Sequence, residues 1–203
     1  MMAELGCVII AGGKARRFGS DKRRLRLWGE HGLTLLEHTL AVAQTMSNQV
    51  VISLNDPTEW PELSVPLLQD AVPDAGPLAG IVAGMRQLAT EWTLVLAADL
   101  PLLSTGLLQE LLNLPRHSLA VVPQRQADSQ QRGGWEPLCA LYQRACLPHF
   151  EQALTTGQYR LTQLIEQLQP QVWPITSTSP WYQHLHNLNR LDDLHQLAAV
   201  KVL

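Results

Sequence analysis

The chain has 203 residues, 46% hydrophobic and 16% charged, with a formal net charge of -3. That length and balance exclude a disordered chain and supply enough apolar surface for a core without disulfide or metal staples. The slightly acidic charge leaves no footprint for nucleic acid, and no apolar run approaches the ~20 residues of a membrane helix.

Residues 6–11 (GCVIIA) form an apolar run ending in Gly12-Gly13, the pattern of a buried strand entering a glycine-rich turn. Residues 33–46 place Leu35, Leu36, Leu40 and Ala43 at helical spacing. A β-branched run at 50–54 predicts a second strand, stopped by Asn55-Asp56-Pro57, and 65–69 a third. The next loop holds Asp70, Pro73, Gly76 and Pro77, and 78–88 predicts a helix with small residues at Ala79, Gly80, Ala83 and Gly84. Residues 93–98 (TLVLAA) predict a fourth buried strand, closed by Asp99-Leu100-Pro101. A helix over 105–114, with Ser104 as its N-cap, and a fifth strand over 119–123 follow.

Residues 124–135 (QRQADSQQRGGW) are polar and glycine-containing, which predicts a loop. Beyond it come an apolar segment at 137–142, helical patterns at 145–154 and 161–168, and a strand at 172–175. Asn187-Leu188-Asn189 precedes a final helix over 190–200. Strands that are apolar throughout and alternate with helices predict an α/β fold. Its expected form is three-layered, a mostly parallel Rossmann-like sheet with helices on both faces. No linker separates the halves, so 1–203 is expected to be a single domain.

In an open parallel sheet, ligands bind beyond the carboxyl ends of the strands. Four predicted strands end there in Gly12-Gly13, Asn55, Asp70 and Asp99. Residues 11–22 (AGGKARRFGSDK) carry the strongest local signal. The paired glycines let backbone amides approach an anion. Lys14, Arg16, Arg17, Lys22, Arg23 and Arg24 concentrate positive charge in an acidic chain, which suits a triphosphate or a pyrophosphate leaving group. The stretch is neither a P-loop, because no Ser or Thr follows Lys22, nor a G-x-G-x-x-G dinucleotide turn. Asp99 can hold Mg²⁺, which takes one or two carboxylates together with substrate phosphate oxygens. Asn55 and the loop at 76–80 are candidates for reading a base, although Asn55 and Asp70 are also plain turn formers. Cys7, Cys139 and Cys146 have no metal spacing and read as thiols in a reducing compartment. The seven histidines show no ligand pattern. Residues 1–6 lack a secretory signal, so the expected location is cytoplasmic.

These residues resemble a known family. Residues 10–22 (IAGGKARRFGSDK) are similar to the L-A-G-G-x-S-x-R-M-G-x-D-K signature of molybdenum cofactor guanylyltransferases, with Ile10, Ala15 and Phe18 as departures. The likeness continues through Asp70, GPLAGI at 76–81, AADLPLL, EPLCALY and the late NLN. The resemblance implies the nucleotide-diphospho-sugar transferase type of fold and transfer of GMP from GTP to molybdenum-molybdopterin; the residues alone leave open a related cytidylyl- or sugar-phosphate nucleotidyltransferase, or a non-catalytic nucleotide or cofactor carrier. It implies GTP contacts at Ile10, Ala11, Gly12, Gly13, Lys22, Asn55, Asp70 and Asp99, with Asp99 also on Mg²⁺. Lys22, Arg17 and Asp99 would be catalytic, and Arg160, Asn187 and Asn189 would bind molybdopterin. About 1–123 would then form the GTP half and about 124–203 the pterin half. The expected state is a monomer with GTP and molybdopterin as substrates and transient contacts to proteins of cofactor biosynthesis or to molybdoenzymes. Without the resemblance, Arg160 reads as exposed, Asn187 as a strand-end residue and Asn189 as a helix cap.

Overall fold

The computed structural model describes residues 4–12, 21–69, 72, 75–127 and 133–188. The strands are β1 (Leu5–Ile10), β2 (Val50–Leu54), β3 (Leu67–Gln69), β4 (Trp92–Ala97), β5 (Ala120–Arg125), β6 (Gly134–Trp135), β7 (Cys139–Gln143) and β8 (Gln171–Ile175). The helices are α1 (Leu35–Met46), α2 (Pro77–Leu88), α3 (Thr105–Asn113), α4 (Leu147–Thr155) and α5 (Leu161–Leu168). The final helix expected at 190–200 lies outside the described residues.

The helix starts follow local chemistry. Thr34 and Glu37 form a reciprocal capping box at α1, and Ser104 caps α3 by accepting the Leu107 amide. Gly76, at φ 65°, turns the chain into α2, where Pro77 occupies the first turn.

One eight-stranded sheet runs through both halves of the chain in the order β3-β2-β1-β4-β7-β5-β6, with β8 on the other edge of β5. β1 pairs in parallel with β2 and β4, β2 with β3, and β5 with β8. The apolar segment at 137–142 becomes β7, antiparallel to both β4 and β5. The polar stretch at 124–135 is not all loop. Gln124 and Arg125 extend β5 and pair with Trp135 and Gly134 of β6. Their backbone groups complete a ladder that side-chain polarity does not disclose.

Alternate strand residues face opposite layers. Cys7, Ile9, Ile52, Leu94 and Leu96 pack with Leu36, Leu40, Leu107 and Leu111 of α1 and α3. Val8, Ile10, Val51, Val95 and Val122 pack with Ile81 and Met85 of α2, Phe150 of α4 and Leu164 of α5. Both faces are therefore covered, which explains strands without a polar side. Gly80 and Gly84 bring α2 against the sheet: a Cβ on Gly80 would collide with Ser53, and one on Gly84 with Val8. The three cysteines are free and buried, and burial pushes the Cys7, Cys139 and Cys146 thiols well up. Among the described residues, no helix is long and apolar enough to cross a membrane.

Candidate active site

β1, β2, β3, β4, β5 and β8 share one direction, so their carboxyl ends line one edge of the sheet. β7 begins at that same edge. The strand ends are stitched together there. The Ala11 amide donates to Ser53 (2.9 Å), the Ala98 amide to Ile10 (3.1 Å) and the Ala97 amide to Leu138 (2.7 Å). This fixes Ile10, Ala11 and Gly12 beside the segment that carries Asp99.

Lys22 begins a short 3₁₀ turn, Lys22–Arg24, capped by the Asp21 side chain. Its ammonium donates to Asp99 Oδ2 at 2.8 Å and to the Leu188 carbonyl at 3.1 Å. The Leu188 amide in turn donates to the Asp99 carbonyl at 2.8 Å. Three distant stretches thus meet at one residue, Asp99, through its carboxylate and its backbone carbonyl. The Lys22 and Asp99 side chains are 23% and 20% exposed, buried enough for strong pairing and open enough to exchange partners with an incoming anion.

The charge expected of Arg23 and Arg24 needs correction. Arg23 donates through Nε and Nη2 to both Asp21 oxygens (2.8 and 2.7 Å), and through Nη1 to the Ala11 carbonyl at 2.8 Å. Arg24 pairs with Glu62 at 2.7 Å, donates to the Glu59 carbonyl, and lies 3.9 Å above the buried Trp60 ring. Both arginines are matched by carboxylates and serve as braces. Arg23 ties the end of β1 to the Lys22 turn. Burial pushes the Asp21 carboxyl up, but hydrogen bonds from Arg23 outweigh it and hold the group below its ordinary value.

Asn55 stands exposed just past β2, where its carbonyl accepts Gln69 Nε2 at 3.2 Å. Asn187 is exposed one residue before Leu188. Arg160 is exposed ahead of α5, with its carbonyl receiving the Gln163 and Leu164 amides. The structure therefore brings Ile10, Ala11, Gly12, Lys22 and Asp99 together, with Asn187 adjoining them through Leu188; Arg160 belongs to the α4–α5 connection. Gly13, Arg17, Asp70 and Asn189 lie outside the described residues.

A second ion pair at this edge has no counterpart in the sequence reading. Arg125 Nε donates to Glu136 Oε1 at 2.5 Å, with the two side chains 22% and 14% exposed. Burial pushes the Glu136 carboxyl up, while the Arg125 charge pulls it down and the Asp99 charge raises it further. The only available signal was Glu136 at the head of EPLCALY; Arg125 was hidden in a polar stretch.

The 99–104 segment is gripped from both sides. His38 Nε2 lies 2.9 Å from the Leu103 carbonyl, and His184 Nδ1 lies 2.9 Å from Ser104 Oγ. Among the described residues, no three His, Cys, Asp or Glu side chains form a metal cage. A lone carboxylate such as Asp99 fits an ion that completes its shell with substrate oxygens.

Residues 7–172 match the model of the MobA-like NTP transferase domain. This chain belongs to that family. It is 37% identical over 197 residues to a probable molybdenum cofactor guanylyltransferase of Chloroflexus aggregans, covering 95% of this chain and 92% of that protein. It is 36% identical over 156 residues to the molybdenum cofactor guanylyltransferase of Pseudomonas entomophila, covering 76% and 78%. The crystal structure of molybdopterin-guanine dinucleotide biosynthesis protein A from Archaeoglobus fulgidus superposes with a TM-score of 0.72 at 22% identity, covering 94% and 95%. The chain is a nucleotidyltransferase with the nucleotide-diphospho-sugar transferase fold, and its homologues act in molybdenum cofactor biosynthesis.

Proposed function

We propose that this enzyme works in the cytoplasm and transfers GMP from GTP to molybdenum-molybdopterin, yielding the guanine dinucleotide cofactor and pyrophosphate. The observation that carries this reading is the convergence of Lys22 and Asp99, 2.8 Å apart, at the sheet edge where β1 ends, in a chain of this family. The terminal phosphate of molybdopterin attacks the α-phosphate of GTP in line, forming a P–O bond as the bond to pyrophosphate breaks. The nucleophile is already an anion, so no general base is needed. The protein's contribution is positioning and charge stabilisation.

In this reading, Ile10, Ala11 and Gly12, with Gly13 beyond them, place backbone groups against the triphosphate. Lys22 turns its ammonium from Asp99 to the phosphates, and Arg17 joins it on the leaving group. Asp99 is the residue suited to hold Mg²⁺, which when bound would neutralise phosphate charge. Asn55, Asp70 and the 76–80 loop read the base. Arg160, Asn187 and Asn189 serve the pterin, so that about 1–123 binds GTP and about 124–203 binds the acceptor.

A side-by-side assay of GTP and CTP with molybdopterin, reading dinucleotide and pyrophosphate, tests the proposal. GTP should be strongly preferred. A preference for CTP would replace guanylyl by cytidylyl transfer, and no pyrophosphate from either would sink the reading.

A further inference from the structure

The Lys22–Asp99 pair has a place in the nucleotide chemistry, but the Arg125–Glu136 pair has none. Arg125 closes β5, and Glu136 occupies the break between β6 and β7, both at the carboxyl edge of the sheet. A tight turn pins Glu136: its amide donates to the Pro123 carbonyl at 2.9 Å, and its carbonyl accepts the Cys139 amide at 3.1 Å. Two residues on, the Leu138 carbonyl bonds the strand that delivers Asp99.

In the strand order β2-β1-β4-β7-β5, Arg125 lies on the far side of Asp99 from the nucleotide strands β1 and β2. The Arg125 guanidinium stands 5.9 Å from the centre of the Tyr182 ring. The same 182–188 stretch touches Asp99 and Lys22 through Leu188 at its other end. One continuous segment therefore spans both ion pairs and carries Asn187 between them.

An ion pair this far from water holds the guanidinium in one orientation at the cost of part of its hydration. A guanidinium carries five donors in one plane, and Nε accounts for the bond to Glu136. Held at the edge by a carboxylate and an aromatic ring, such a group suits a phosphate monoester. We propose that Arg125 binds the phosphate-bearing acceptor, and that Glu136 and Tyr182 are positioning residues that set its guanidinium. The inference rests on the transfer reaction proposed above and adds a specificity-determining cation to its acceptor side.

The test compares the purified protein with Arg125→Met, Arg125→Lys and Glu136→Gln. It measures KM for GTP and for molybdopterin in dinucleotide formation, molybdopterin binding without GTP, and thermal unfolding. Arg125→Met should raise the acceptor KM about tenfold or more while leaving the GTP KM within about twofold. Arg125→Lys should recover part of the loss, and Glu136→Gln should produce a smaller rise confined to the acceptor. Parallel rises in both KM values, or an unmoved acceptor KM with lowered stability, would make the pair a brace between β5 and β7 and overturn the inference. If Arg125→Met does not fold, Arg125→Lys decides by the same split. If the unaltered protein makes no dinucleotide yet its molybdopterin binding still depends on Arg125, the transfer reading fails and the acceptor assignment stands.

Discussion

Lys22 and Asp99, 77 residues apart in sequence, form a direct ion pair whose ammonium also holds the Leu188 carbonyl. Such a pair acts as a unit, so Asp99→Ala should cut Mg²⁺-dependent pyrophosphate release by on the order of 10²-fold or more. Lys22→Ala should cost a similar factor, and the double variant much less than their product. Multiplicative losses in the double variant would mean that the two groups act independently.

Lys22 is assigned to phosphates common to every nucleotide, and Asn55 to the base. Competition binding should therefore find Lys22→Ala weakening GTP and CTP alike, with Asn55→Ala narrowing the preference for GTP. Equal effects on selectivity would show these roles to be misassigned.

Arg23 holds both oxygens of Asp21 and the carbonyl of Ala11. Arg23→Met should destabilise the protein by about 1–2 kcal/mol at neutral pH, the scale of a partly exposed charged bond. Asp21 titrates lower when folded than its unfolded value of 3.8, so its contribution is present above that pH and disappears as pH falls through the folded value. The gap in thermal stability between variant and parent should accordingly shrink below about pH 4. A gap independent of pH would show that packing, not the Asp21 charge, accounts for the loss.

Burial lowers the affinity of His38 and His184 for a proton, although the Leu103 carbonyl partly offsets this at His38. As pH falls, the unfolded chain takes up protons first, near the ordinary value of 6.5. The stabilising contribution is complete above that value and declines as pH falls towards the folded pKa values. Melting temperatures should drop between pH 7.5 and 5.5, roughly across the histidine range, and a His38→Gln, His184→Gln double variant should give a flatter profile. Identical slopes in the two proteins would exclude these side chains as the cause.

Asn187 adjoins the Leu188 backbone that bonds Asp99, and its replacement leaves that backbone intact. Asn187→Ala should preserve GTP affinity yet slow dinucleotide formation by about tenfold or more, the scale of losing one hydrogen bond to a charged group. Weakened GTP binding would move Asn187 from the acceptor to the nucleotide.

Local order was legible wherever composition alone decides it. The runs at 6–11, 50–54 and 93–98 became β1, β2 and β4 within a residue, and Ser104 caps α3 as read. Direction was not legible: 137–142 reads equally well as a parallel or an antiparallel buried strand, since both bury two faces. The same limit applied to the site. Composition put Arg23 and Arg24 in a positive stretch, but it did not show that Arg23 commits its charge to Asp21, two residues before it, or that Arg24 pairs with Glu62, more than thirty residues away. Asp99 was visible because a lone acid ends an apolar run; Arg125 had no such contrast with its polar neighbours.

Gly80 and Gly84 act as a spacer of zero thickness between α2 and the sheet. Any side chain there would lift the helix off Ser53 and Val8 and carry Gly76 and Pro77 with its leading end. A loss of base discrimination could thus arise from a substitution beneath the helix that touches no ligand, and a screen ranking residues by distance to substrate would overlook it.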